Sequence, residues 1–238
     1  MTFDRSQRRP VDVDEWLARL RQSPEYIARE QERERTQQEA IREYYQAAAP
    51  LLAELAESGF AVESVGVLYH RGINYKDAIP ILLKWLPRIE YRYLKEDIVV
   101  ALTVKWARPI AAPILIEEFR RASYPTPGYK WTVGNALSVV ADDSVYDEIV
   151  ELARDKQHGK AREMVVASLA NMKNPQAVDV LIGLLDDEEV PGYALLALRK
   201  LGKKAEKARP HIERFLAHPD TWVRNQAKGA LAKMDKAK

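Results

Sequence analysis

Cysteine is absent from the 238 residues. Neither a disulfide framework nor a thiolate metal site is available, which fits a reducing compartment. Glycine is scarce, at 10 residues, and aromatics make up only 8%. The alternating strand patterns and Gly-rich turns of sandwiches and barrels are missing. No apolar run approaches the roughly 20 residues of a membrane span, and the N-terminal MTFDRSQRRPVDVDEW has no apolar secretory core. A cytoplasmic protein without a membrane segment is the expectation. An excess of one charge is lacking too: 37 basic against 35 acidic residues leave a net +2, short of what a dedicated duplex-DNA binder carries. His70, His158, His211 and His218 are scattered, and no pair has metal-ligand spacing on one helix. With no Gly-rich phosphate loop or nucleophile elbow, no metal, cofactor or catalytic residue is expected.

What is present is helical: hydrophobic residues make up 47%, and Ala, Leu, Glu, Lys and Arg abound. Asp220 to Met234 is the most legible stretch. Asp220 is a good N-cap, and Val223, Ala227, Ala230, Leu231 and Met234 share one stripe with Arg224 beside it. A lone helix cannot bury such a stripe, and the pattern recurs upstream. Pro50, Pro80, Pro113, Asp147, Asp179 and Pro210 fall 30, 33, 34, 32 and 31 residues apart. A second column, Ala101-Leu102, Ala136-Leu137, Ser168-Leu169, Ala197-Leu198 and Ala230-Leu231, keeps nearly the same period. Counting back from each pair to the place of Arg224 gives Lys95, Lys130, Arg162 and Pro191. Pro191 breaks the basic column and should start its helix late or bend it.

These columns resemble HEAT repeats, most specifically in Asp220 to Met234. The resemblance implies an all-α, right-handed α-solenoid of five to six helix pairs with N-terminal capping helices. Repeats are expected near 47–76, 77–109, 110–143, 144–175, 176–206 and 207–234, within an array over 47–238. Residues 1–46 hold a polar tail, a short helix with Trp16, Leu17 and Leu20, and a long helix to about Ala48. Its middle, Arg29 to Glu39, is almost without apolar side chains; pairs such as Arg29 with Glu32 and Arg35 with Glu39 support it. It reads as a solvated cap or as a partner-binding arm. The basic column is expected to pair with carboxylates between repeats, as it does in the family.

In the family the second helices line a concave face, and most members are non-catalytic interaction scaffolds. Positions one, four and five residues after the basic column are then expected in the groove. They include Glu96, Val99, Trp131, Gly134, Asn135, Glu163, Val166, Gly192, Leu195, Asn225 and Lys228, a mixed set of little net charge. Such a face suits another protein or peptide better than a phosphate backbone. Tyr124-Pro-Thr-Pro-Gly-Tyr-Lys-Trp131 is the longest connection, and Tyr91 and Tyr93 occupy the equivalent place one repeat earlier. Tyr91, Tyr93, Tyr124, Tyr129 and Trp131 are therefore candidate partner-binding residues, with Asn135 and Glu163 beside them; the alternative is that the rings plug an enlarged loop. Some HEAT-like DNA glycosylases use aromatics and a carboxylate in the groove, but Asn135 is no carboxylate and no basic track accompanies Trp131. Residues 142–192 carry −7 and 193–238 carry +8. The basic end is either a solubilising cap or a landing surface for an acidic protein or nucleic acid.

Overall fold

The computed structural model describes residues 13–122 and 128–236, and every regular element among them is helical. The chain divides into two units, Met1–Ala47 and Ala48–Lys238. The first holds α1 (Val13–Gln22) and most of α2 (Pro24–Glu57). Pro24 opens α2 where a missing N–H costs nothing, and Ser23 Oγ accepts the Tyr26 N–H at 3.2 Å. Along its polar stretch Arg33 meets Glu30 at 2.9 Å, while Arg35 meets Glu32 at 2.7 Å and Glu39 at 3.9 Å. Each exposed pair contributes about 0.3–0.5 kcal/mol.

One expected boundary is absent. The spacing placed a break before Pro50, but α2 runs through it to Glu57. Pro50 removes one intrahelical hydrogen bond. The run Ala47-Ala48-Ala49 is the strongest helix-forming composition available, and Ala48, Leu51 and Leu55 are buried on one face of this same helix, which offsets that loss.

The second unit is a stack of helix pairs. The end of α2 is followed by α3 (Val65–His70) after a turn at Gly59, whose φ of +91° is open to glycine. Then come α4 (Ile79–Trp85) with α5 (Arg92–Ala101), α6 (Ala111–Arg121) with α7 (Tyr129–Val140), and α8 (Tyr146–Arg154) with α9 (Glu163–Ser168). The last are α10 (Gln176–Leu184) with α11 (Pro191–Leu201) and α12 (Arg209–Glu213) with α13 (Thr221–Asp235). Second helices pack side by side in the order α3, α5, α7, α9, α11, α13, and each from α7 onward also packs on its own first helix. This is an α-solenoid. Asp220 caps α13 by accepting the Val223 N–H at 3.0 Å. Pro191 is the first residue of α11, whereas Lys95 and Arg224 are the fourth of α5 and α13, so this helix starts late against the column.

The side-by-side layer decides which side chains are free. Val99, Gly134, Val166 and Leu195, four residues after the basic column and expected in the groove, are buried between neighbouring second helices. Their neighbours keep solvent access: Glu96, Trp131 and Glu163 three residues earlier, and Val100, Asn135, Ala167 and Leu196 one residue later.

The basic column splits in two. Lys95 reaches Glu118 of the next pair at 2.7 Å, and Arg162 reaches Asp187 of the next pair at 3.0 Å. Lys130 and Arg224 instead donate to carbonyls of their own pair, Ala122 at 2.8 Å and His218 at 2.6 Å. Burial pulls the Lys130 ammonium below its ordinary range, and it lies 5.0 Å from the Phe119 ring.

Candidate protein-binding face

Four contacts fix the register of the second helices, and with it a row of side chains across their first turns. At the α5–α7 step, Gly128 lies against the Arg92 guanidinium, and a Cβ there would come 3.7 Å from Glu96 Oε1. Arg92 is held by Glu96 at 2.9 Å. At the α7–α9 step Gly134 faces the Ala161 carbonyl and Met164, 3.3 and 3.4 Å from where its Cβ would be. At the α9–α11 step the Tyr193 hydroxyl donates to the Glu163 carboxylate. At the α11–α13 step the Trp222 ring covers Gly192, and its centroid lies 5.0 Å from that of Tyr193 at 50°. The row therefore reads Glu96, Trp131, Glu163, Tyr193, Trp222, one residue from each of five consecutive second helices.

Trp131 is 47% exposed and Trp222 43%, so both rings offer faces to solvent, and the Trp222 ring is anchored against Gly192 and Tyr193. Burial raises the Glu163 carboxyl above the ordinary carboxylate range, against the opposing pull of the Tyr193 hydrogen bond. Burial, then the Glu163 charge, raises the Tyr193 phenol. Both groups are polar, partnered and stiffened.

The other expected residues are placed as follows. Tyr93 is 61% exposed, and its ring lies 5.7 Å from that of half-buried Tyr91, which precedes α5. Asn135 follows Trp131 by one turn, and the Gly134 register sets it beside the level of Glu163. Tyr124 lies outside the described residues. Tyr129 is the correction: at 9% exposure it is buried, donating to Glu118 at 2.6 Å with the Lys95 ammonium 5.6 Å from its ring. Burial, then the Glu118 hydrogen bond, raises its phenol far above the ordinary range. Tyr129 thus ties α7 to α6 and presents nothing to the rim. Conversely, counting from the basic column assigned Gly192 and Asn225 to the row and missed Tyr193 and Trp222. The overlooked signal was Gly192 itself, a bare first-turn position that lets the ring of the next helix lie flat across it.

The arrangement offers contact area, two carboxylates and the Tyr193 hydroxyl bonded to one of them. Among the described residues no group of His, Asp and Glu could hold a metal ion, and no helix is long and apolar enough to cross a membrane. Residues 161–187, which hold α9, α10 and the loop beyond, match the family model described as PBS lyase HEAT-like repeat. The matched segment is one turn of a stack that repeats the same helix pair before and after it. Over these residues the chain is similar to HEAT-like repeats. The chain also resembles two solved designed armadillo repeat proteins. One, in complex with the peptide (KR)4, is 20% identical over 83% of this chain and 92% of that one, with a TM-score of 0.47. The other is 20% identical over 71% and 85%, with a TM-score of 0.44. No curated protein matches the chain.

Proposed function

We propose that this HEAT-type protein is a non-catalytic interaction scaffold that binds an extended segment of another protein across the first turns of its second helices. The observation that carries the reading is the row itself, in which exposed Trp131 and Trp222 alternate with Glu96, Glu163 and Tyr193 on consecutive helices. Exposed aromatic rings give large contact area at small entropic cost, the composition of binding hot spots. The exposed indole faces, with Glu163 between them, favour a segment that carries Lys or Arg, whose cations can lie over the rings. A phosphate backbone is the poorer fit, because the cations Arg92 and Lys160 beside the row stand against its own carboxylates, Glu96 and Glu163.

The test is selection of a displayed library of random peptides against the purified protein, followed by fluorescence anisotropy on the enriched sequences. Each hot-spot ring contributes on the order of 1–2 kcal/mol, so the Trp131→Ala/Trp222→Ala variant is expected to bind at least about tenfold more weakly at unchanged helicity. Affinity within twofold of wild type would remove the row from the interface.

A further inference from the structure

At the other ends of α9 and α11 the chemistry reverses. The loop after α9 and the loop after α11 enclose a cleft of about 440 Å³ lined by Met172, Lys173, Asn174, Pro175, Ala177, Val178, Leu201, Lys204 and Lys207. That volume lies within the range of natural ligand sites, about 300–1,000 Å³. Its floor is aliphatic, since Met172, Ala177 and Val178 are buried beneath it. Its wall is pinned: the Asp143 carboxylate accepts the Lys173 N–H at 2.9 Å and the Asn174 N–H at 2.9 Å, and Asn174 Oδ1 accepts the Gln176 N–H at 2.9 Å. The cleft is held open by hydrogen bonds from two repeats.

The rim is cationic. Lys207 is paired with Asp179 at 2.6 Å, but among the described residues the Lys173 and Lys204 ammoniums have no carboxylate within ion-pair distance. The cations continue beyond the cleft. Lys200 donates to the neutral Asn171 Oδ1 at 2.7 Å, and Asn171 in turn donates to the Ser138 carbonyl at 2.7 Å. Arg108, two pairs earlier, donates to the neighbouring Val139 carbonyl at 2.7 Å. Desolvation, then the Arg108 and Lys105 charges, pulls the Lys200 ammonium below its ordinary range. Of the nearby carboxylates Asp179 is paired with Lys207, while Asp142 and Asp143 accept from neutral donors, Ser144 and the loop backbone, and offset part of the charge of Lys173 and Arg108. The strip therefore presents net positive charge beside an aliphatic hollow, from Lys173 of one repeat and Lys200 and Lys204 of the next, with Lys105 and Arg108 beyond them.

We infer that this edge is a second docking site, separate from the aromatic row, for an acidic peptide segment that seats an aliphatic side chain in the 172–178/201–207 cleft and runs its carboxylates along Lys173, Lys204 and Lys200. A peptide fits better than a nucleic acid. None of the nine lining residues is aromatic, so unstacked bases would find no platform, whereas the floor of Met172, Val178 and Leu201 matches an aliphatic side chain. The charge strip is longer than the cleft and so calls for a chain rather than a compact anion.

The experiment uses the same displayed library with a second variant, Lys173→Glu/Lys204→Glu, whose exposed substitutions leave the core untouched. The expected result is a class of enriched peptides with Asp or Glu flanking Leu, Ile, Val or Met. Their anisotropy-measured affinity should fall at least about tenfold in the charge-reversed variant, hold within twofold in Trp131→Ala/Trp222→Ala, and weaken as salt shortens the reach of the charges. A single-stranded oligonucleotide of equal charge should compete at least about tenfold less well than the free peptide. No enrichment of acidic peptides, equal binding by the charge-reversed variant, or equal competition by the oligonucleotide would each overturn the inference. Loss of binding in the tryptophan variant alone would instead assign those peptides to the aromatic row.

Discussion

Arg162 is fully buried, with 0% of its surface exposed. Its guanidinium donates to the carbonyls of Gly159 and Ala153, both at 3.0 Å, to Asp187 at 3.0 and 3.3 Å, and to Glu189 at 2.7 Å. A planar fork can serve two carbonyls and two carboxylates at once; an ammonium cannot. Arg162→Ala leaves buried Asp187 without its partner and should cost about 3–5 kcal/mol in chemical denaturation, whereas Arg162→Met/Asp187→Leu should recover most of that loss. The pH dependence follows from Asp187. Burial raises its carboxyl, but the Arg162 hydrogen bonds outweigh it and hold the group below the ordinary carboxylate range. Its stabilisation is complete above the unfolded value of about 3.9 and is lost as pH falls through the depressed folded value. Without Arg162, only the Glu189 N–H and the Lys156 charge oppose burial, and protonation of Asp187 costs the variant less than it costs the wild type. The stability gap between wild type and Arg162→Ala should therefore narrow as pH drops below about 4; a gap independent of pH from 7 to 3 would mean that the pair is not what holds the two repeats together.

At the scale of the element, Pro50 tests how helix propensity trades against packing. It is exposed, buries no side chain, and interrupts the hydrogen-bond ladder of α2 in a stretch otherwise made of alanine and leucine. Pro50→Ala should stabilise the protein by about 1–3 kcal/mol by denaturation, the interior proline penalty less the entropy that proline removes from the unfolded chain. Destabilisation would mean that the array needs a bend there. The same position marks where the sequence stops being legible. The two columns of period near 32 gave every later helix pair, because that period is imposed by the stacking and each pair must meet it. Pro50 lay on the column but not at a helix start, since a proline is compatible with a first turn and, when packing compensates, with an interior. The row was legible at Glu96, Trp131 and Glu163, which follow the basic column directly. It was not legible at Tyr193 and Trp222, where the bare Gly192 lets a ring from the next helix cross over. Tyr129 was recognisable as an aromatic in a loop. Its burial depends on Glu118, eleven residues earlier on the first helix, and nothing in linear spacing announces that hydrogen bond.

For the array as a whole, each second helix is supported mainly by its two neighbours and its own first helix, so stability is a sum over steps rather than a property of one core. Weakening one central step should then separate the two flanks. Val166 is fully buried in α9, between α7 and α11. Val166→Asp places an unpaired carboxylate there at a cost of several kcal/mol. Trp85 reports on the flank before this step and Trp222 on the flank after it, so two variants that each retain one of these as the single tryptophan can follow the halves independently. In the wild-type background their urea transitions should overlay. With Val166→Asp they should part by about 0.5–1 M, the spacing expected when flanks differing by about 1–2 kcal/mol unfold with slopes of about 1–3 kcal/mol per molar urea. The Trp222 flank should unfold first, because residues 193–238 carry a net +8 whose self-repulsion opposes compaction, and added salt should narrow the separation by screening it. Coincident transitions in the variant would show instead that the helix pairs unfold as one cooperative block and that the nearest-neighbour description fails for this solenoid.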